Sequence, residues 1–395
     1  MSSLDPPTKK SRISPLLFDE ILEVIKNDNI DQLLTWLDDS SIRNVNMKSG
    51  PDLAYSSLLI MASEIGKISS VRLLLKYGAS INQENSDLNT PVAVACHAGH
   101  LDIVKLLHSR GADLDDEYIL LATCQSGHIE VVRYLLDHGA DINSERGDRG
   151  TPLTTACYHG YLEIAKLLIE CGADINFVYN DRYEDVIWNP LAAACFGNHL
   201  EIVKYLVSIG ADVILGAPLT AIFANNIELI SYLLDNGADI HAFSPYSNPL
   251  LRASGSGLVE NAKLLLERGA SVHVHNTAHS QATSLIYACM LPYRRAFVHP
   301  TIKLLLDYGA DTNDVDSEGD SALIHLLSTS LPDTAEGDLE CVRLLLQYGA
   351  DVTLTNLAGQ TASSLVERGS AICNLLAEYR DINDRELLAV KPLVK

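Results

Sequence analysis

Long apolar runs are missing from this 395-residue sequence. No uninterrupted stretch approaches the ~18 to 20 residues a bilayer-spanning helix needs, and the amino terminus, Met1 to Arg12, lacks the apolar core of a secretory leader. Neither a membrane span nor export is expected, and the sequence reads as intracellular and cytoplasmic. Basic residues are scarce too: Lys and Arg number 29 against 51 Asp and Glu, a formal charge of −22. That balance opposes attraction to nucleic-acid phosphates or anionic lipid. Eight cysteines are too sparse for a disulfide scaffold in a chain of this length. No Gly-x-Ser-x-Gly elbow, P-loop, Rossmann glycine fingerprint or His-Glu-x-x-His helix occurs. No enzyme, cofactor or metal is therefore expected.

What is present is an ordinary folded composition, 47% hydrophobic and 20% charged, in a chain too long for one core unless it grows by repetition. A repeated phrase answers this. An apolar pair or triplet, two polar or aromatic residues and then Gly-Ala-Asp or Gly-Ala-Ser recur at Gly78, Gly111, Gly139, Gly172, Gly210, Gly237, Gly269, Gly309 and Gly349. Successive differences in position are 33, 28, 33, 38, 27, 32, 40 and 40. Upstream lies a second phrase, Thr90-Pro91-Val92, Thr151-Pro152-Leu153, Asn189-Pro190-Leu191, Ala217-Pro218-Leu219 and Asn248-Pro249-Leu250, and between the two come Gly99-His100 and Gly127-His128.

Each phrase has a physical meaning. Proline suits the first helical turn, where its missing N–H was due no bond, and a preceding Thr or Asn can cap the free amides. A first helix of about eight residues follows, broken by a glycine such as Gly99 or Gly160. Leu101 to Leu107 then restores a 3.6-residue apolar stripe, a second helix. The glycine of Gly-Ala-Asp falls just past it, where a left-handed terminus favours glycine. The polar residues before the next proline, Asn82 to Asn89 for example, suit an exposed hairpin turn.

With Thr-Pro-Leu, Gly-His and Gly-Ala-Asp at fixed offsets, the unit closely resembles the ankyrin repeat. The resemblance spans about Leu16 to Tyr379 and implies an all-α solenoid of about eleven helix-turn-helix units with projecting β-hairpin fingers. The expected organisation is a disordered tail over 1–15 and a repeat domain over 16–380, followed by a C-terminal tail over 381–395. Within the domain an N-terminal cap covers 16–45, clear repeats about 46–351 and a C-terminal cap 352–380. The resemblance further implies a monomeric, non-catalytic scaffold that binds a protein partner on the hollow face of fingers and first helices. The acidic charge fits a basic segment on that partner. His100, His128 and His199 are implied to tie loops together by hydrogen bonds.

Departures from the pattern mark candidate surfaces. The short units lose residues between Gly111 and Ile119 and between Gly210 and Pro218, leaving stunted fingers. The 38-residue unit instead gains a long finger, Phe177 to Trp188. The two 40-residue units lengthen the link between helices, at Leu291 to Pro300 and at Ser328 to Asp338, the latter expected as a mobile loop. The exposed pair at the end of each first helix turns aromatic at Tyr158, beside His159, and at Phe196. With Tyr179, Arg182, Tyr183 and Trp188 of the long finger, and Phe243 and Tyr246 further on, these form the expected partner-binding surface, since aromatics often anchor interfaces. The competing reading is that the rings pack on neighbouring fingers and stabilise the stack.

Other chemistry has a structural counterpart at each position. Cys96, Cys124, Cys157, Cys195 and Cys289 share one small-residue slot in the first helix, so helix packing accounts for them better than metal or disulfide chemistry. His273, His275 and His279 are a weak metal candidate against a solvated finger. Lys9, Lys10 and Arg12 offer a nuclear-import reading against a solvated tail. A ubiquitin-ligase substrate adaptor and a microbial effector acting on host proteins are alternative functions. The residues after Tyr379 are too short for a SOCS box and the first 15 too short for an F-box, which disfavours the adaptor.

Overall fold

Capping side chains decide where the first helix of each repeat begins. Thr90, Thr151, Asn189 and Asn248 sit in extended backbone before a proline, and each side chain accepts the amide three residues on. The Asn bonds are the shorter, 2.7 Å from Ala192 N to Asn189 Oδ1 and from Leu251 N to Asn248 Oδ1. Second helices end where Gly-Ala-Asp predicts. At Gly111 φ is +92°, and the amides of Gly111 and Ala112 close onto the carbonyls of His108 and Leu107. This paired closure satisfies helix-end carbonyls only when the chain turns left-handed, which glycine does without a Cβ clash. The same pair of bonds recurs at Gly349 and Ala350.

The computed structural model describes residues 15–39, 44–54, 56–115, 117–144, 150–180, 187–214, 225–242, 248–276, 281–290, 295–328 and 335–390. The chain divides into two compact units, Met1–Asp174 and Ile175–Lys395. The first holds α1 (Pro15–Lys26) with α2 (Ile30–Asp38), α3 (Leu58–Ile65) with α4 (Ile68–Lys76), α5 (Pro91–His97) with α6 (Leu101–Ser109), α7 (Glu117–Ser126) with α8 (Ile129–Asp137), and α9 (Pro152–His159) with α10 (Leu162–Glu170). First helices pack on first helices along α1, α3, α5, α7 and α9, and second on second along α2, α4, α6, α8 and α10. The core between the rows is the apolar stripe read from sequence; Leu59, Leu74, Val92, Leu107, Leu121 and Leu135 are at most 1% exposed.

The second unit opens with strands β1 (Tyr179–Asn180) and β2 (Ile187–Trp188), antiparallel with Tyr179 opposite Trp188. It continues with α11 (Pro190–Phe196), α12 (Leu200–Ser208), α13 (Ile227–Asp235), α14 (Pro249–Gly255), α15 (Val259–Glu267), α16 (Ser284–Cys289), α17 (Arg295–Asp307), α18 (Ala322–Ser328), α19 (Ala335–Gln347) and α20 (Ala371–Val390). Packing alternates as before: α14, α16 and α18 form one row, and α13, α15, α17, α19 and α20 the other. The chain is thus an all-α repeat fold. The long finger forms the one two-stranded sheet among the described residues; elsewhere finger bases make single bridges, Lys48 with Ser57, Val315 with Ser321 and Thr355 with Thr361.

Two expectations change. The extra residues of the 40-residue units are partly helix, because α17 begins at Arg295 and runs through Pro300, while Ala335–Asp338 is the first turn of α19. Packing of α17 on α19 supplies the tertiary support that a proline-bearing helix needs. At the carboxyl end, α20 continues past residue 380 to Val390. The amino-terminal segment 1–14 lies outside the described residues, and with it Lys9, Lys10 and Arg12.

Candidate functional site

The aromatic residues singled out by sequence fall into two groups, one in each unit. In the first unit Tyr158 stands at the end of α9 and is 41% exposed. Its ring meets His159 edge to face, centroids 5.0 Å apart, and His159 stacks on Tyr161 at 6.2 Å. Tyr161 holds the slot that other repeats give to histidine. Its ring lies over Gly127, where an added Cβ would come within 2.6 Å of it. The same seating puts His128 on Gly99 and His100 on Gly66, and His100 Nε2 also bonds the Glu64 carbonyl at 3.0 Å. The Gly-His residues thus tie one repeat to the one before it.

In the second unit Trp188 pairs opposite Tyr179 and directly precedes the Asn189 cap in sequence. There its ring meets Phe196, the last residue of α11, with centroids 5.1 Å apart at 60°. Tyr179, Trp188 and Phe196 are each half-buried. Arg182, Tyr183, Phe243 and Tyr246 lie outside the described residues. The structure therefore brings Tyr158 together with His159, and Trp188 together with Tyr179 and Phe196. Trp188 packs on its own fold, while Tyr158 keeps two-fifths of its surface in solvent.

Two further ties were not legible as motifs. Asn46, Asn82 and Asn143 each accept the backbone amide that opens the next finger, from Ser80, Asp113 and Asp174, and Asn176 and Asn313 do the same for Asp212 and Asp351. Near the end of the second unit Asp316, Asp320 and His325 bring potential ligand atoms within 4.8 Å of one another. These atoms are engaged by the fold. Asp316 Oδ1 accepts the amides of Glu318 and Asp320, its Oδ2 lies 2.8 Å from His325 Nε2, and Asp320 Oδ1 accepts from Asn356 Nδ2. The network clamps two fingers to a helix. His273 and His275 are exposed, His275 Nδ1 pairs with the Gln281 carbonyl, and His279 lies outside the described residues.

The cysteine column is buried as its register predicts. Cys96, Cys124, Cys157, Cys195 and Cys289 are at most 2% exposed. Burial pushes the Cys96 thiol up to about 12, with a bond to Thr123 pulling the other way. Cys124 and Cys157 are raised by the same desolvation. Reactive thiols need the opposite shift, so these three are packing groups. No helix among the described residues is long and apolar enough to cross a membrane.

Comparison with known proteins agrees with this architecture. The family profile described as "Ankyrin repeats (3 copies)" matches residues 22–118, 113–179, 191–276 and 250–356, and that described as "Ankyrin repeats (many copies)" matches 153–207. Protein phosphatase 1 regulatory subunit 27 of Mus musculus is 46% identical over 50 residues, 13% of this chain and 32% of that protein. Ankyrin repeat domain-containing protein 49 of Homo sapiens is 42% identical over 60 residues, 15% of this chain and 25% of that protein. The match thus spans about a third of the length of the phosphatase subunit.

Proposed function

Since the chain belongs to the ankyrin-repeat family, whose arrays are generally protein-interaction modules, we propose that it is a non-catalytic scaffold binding a protein partner through its fingers and first helices. The observation that carries this reading is the solvent-facing Tyr158 at the end of a first helix. Trp188 and Phe196 at the base of the long finger add support. Tyr and Trp in such positions supply large, stiff contact area, and truncating one at an interface hot spot typically costs about 2 kcal/mol or more. In the first unit the contact residues are Tyr158 and His159; in the second they are Tyr179, Trp188 and Phe196, with Arg182, Tyr183, Phe243 and Tyr246 by sequence position. The acidic balance of the chain, −22 overall, selects for a partner with a basic segment by steering and by charge complementarity. The protein acts as a monomer inside the cell.

The test is affinity purification from the native cell with wild type beside a Tyr158→Ala, Trp188→Ala, Phe196→Ala variant, each checked for folding by circular dichroism. One protein recovered by wild type and lost from the still-folded variant is the expected result. Loss of helicity or of thermal stability in the variant, without selective loss of a partner, would show that the rings serve the stack. The partner's identity then separates a scaffold from a ligase adaptor or a host-directed effector.

A further inference from the structure

The finger turn from Asp316 to Asp320, with the helix α18 that follows it, differs from its sisters at three positions at once. Asp316, Asp320 and His325 hold the places taken by Asn85, Asn89 and Val94 in an earlier finger and by Asn356, Gln360 and Leu365 in the next one. All six of those sister side chains are neutral. The turn itself does not require the change: Asn85 Oδ1 accepts the amides of Asp87 and Asn89, just as Asp316 Oδ1 accepts those of Glu318 and Asp320. Asn356 Oδ1 likewise accepts the Gln360 amide. What the change adds is buried negative charge. Asp316 and Asp320 are 8% and 9% exposed, and the His325 side chain is 12% exposed. Among the described residues no Lys or Arg pairs with either carboxylate, and one imidazole can balance at most one of the two charges.

We propose that Asp316, Asp320 and His325 bind a zinc ion. One ligand atom from each residue lies within 4.8 Å of the other two, and zinc with nitrogen and oxygen ligands at about 2.0 to 2.2 Å needs them about 3.3 to 3.5 Å apart. Side-chain shifts of about 1 Å close that gap. The hydrogen bonds of the two Oδ1 atoms, to the turn amides and to Asn356 Nδ2, can stay in place. Asp320 Oδ2 accepts no hydrogen bond among the described residues. The one bond that must give way is that of His325 Nε2 to Asp316 Oδ2, 2.8 Å long. As zinc takes Nε2, the hydrogen held there moves through solvent to Nδ1, so a neutral ring stays neutral and two carboxylates balance the dication. An imidazole ligand favours zinc over calcium or magnesium, which take oxygen. Water fills the fourth position.

The test is calorimetric titration of zinc chloride into the full chain, stripped of metal by a chelator, beside Asp316→Asn and Asp320→Gln variants. Each variant carries the side chain that a sister finger uses at the same place, Asn85 or Asn356 for the first and Gln360 for the second, so the turn is kept, and circular dichroism checks it. Wild type should take up one zinc ion that each variant binds at least about tenfold more weakly, the size of one lost charged ligand. Zinc should also raise the Tm of wild type by a few degrees and leave that of the variants nearly unchanged, because an ion that binds only the folded chain stabilises it. Cobalt(II) in place of zinc should give the strong visible absorption of a four-coordinate ion with wild type alone. No zinc uptake by wild type, equal affinity in all three proteins, or tighter binding of magnesium than of zinc would overturn the proposal. A cobalt spectrum unchanged by the substitutions would assign the ion to other residues, such as the exposed His273 and His275, and would overturn it as well.

Discussion

At the scale of single residues, left-handed backbone positions carry much of the design. Gly99 has φ +78°, and a Cβ there would lie 2.4 Å from the His128 ring, whereas at Gly111, φ +92°, it would meet nothing within 4 Å. Gly99→Ala therefore combines backbone strain with a displaced inter-repeat ring. It should cost clearly more than the roughly 1 kcal/mol expected of Gly111→Ala from the left-handed conformation alone. Leu88 is the opposite case. It has φ +63° and is 60% exposed at a finger tip where two sister fingers hold Gly319 and Gly359. Leu88→Gly should raise stability by about 0.5 to 1 kcal/mol, because relief of strain exceeds the added freedom of the unfolded chain. Urea midpoints of the three variants test both statements, and equal cost for the two alanine variants would mean that His128 moves aside freely. The glycines were legible as helix terminators. The ring that rests on Gly99 was not, because it arrives from the next repeat.

At the scale of elements, the first helices share a column of buried thiols. Cys96, Cys124 and Cys157 lie on α5, α7 and α9, with ionisation raised above the ordinary value of 9.0 by burial, to about 12 for Cys96. The folded state therefore keeps protons that the unfolded chain loses. Stability from this source is fully present below pH 9 and declines as pH rises from there toward 12. Chemical denaturation at pH 8 and at pH 10.5 should show a larger loss for wild type than for a Cys96→Ala, Cys124→Ala, Cys157→Ala variant. Identical losses would mean that tyrosine and lysine titration accounts for the whole effect. The small-residue slot holding these cysteines was legible from register alone. The extra turns of α17 and α19 were not. Pro300, Pro332 and Gly337 made those segments read as links, whereas helix packing between neighbouring repeats outweighs the local preference at Pro300.

At the scale of the whole molecule, 51 acidic residues against 29 basic ones leave unscreened repulsion. The ion pairs of the described residues, such as Lys204 with Glu228 and Arg268 with Asp235, are largely exposed and offset little of it. Raising ionic strength from about 10 mM to about 150 mM shortens the screening length to roughly 8 Å and should raise the Tm by a few degrees. A fall in calorimetry would mean that attractive pairs dominate. By itself the sequence determined the repeat, its caps, its helix ends, its buried column and the positions of the candidate aromatics, since each depends on neighbours within a turn or two of chain. Tertiary structure alone decided that Trp188 meets Phe196 and that Tyr161 takes a histidine's seat on Gly127. The first contact depends on how the long finger folds back on the helix it leads into, and the second on how one repeat is spaced and rotated on the next, quantities fixed by packing rather than by any local periodicity.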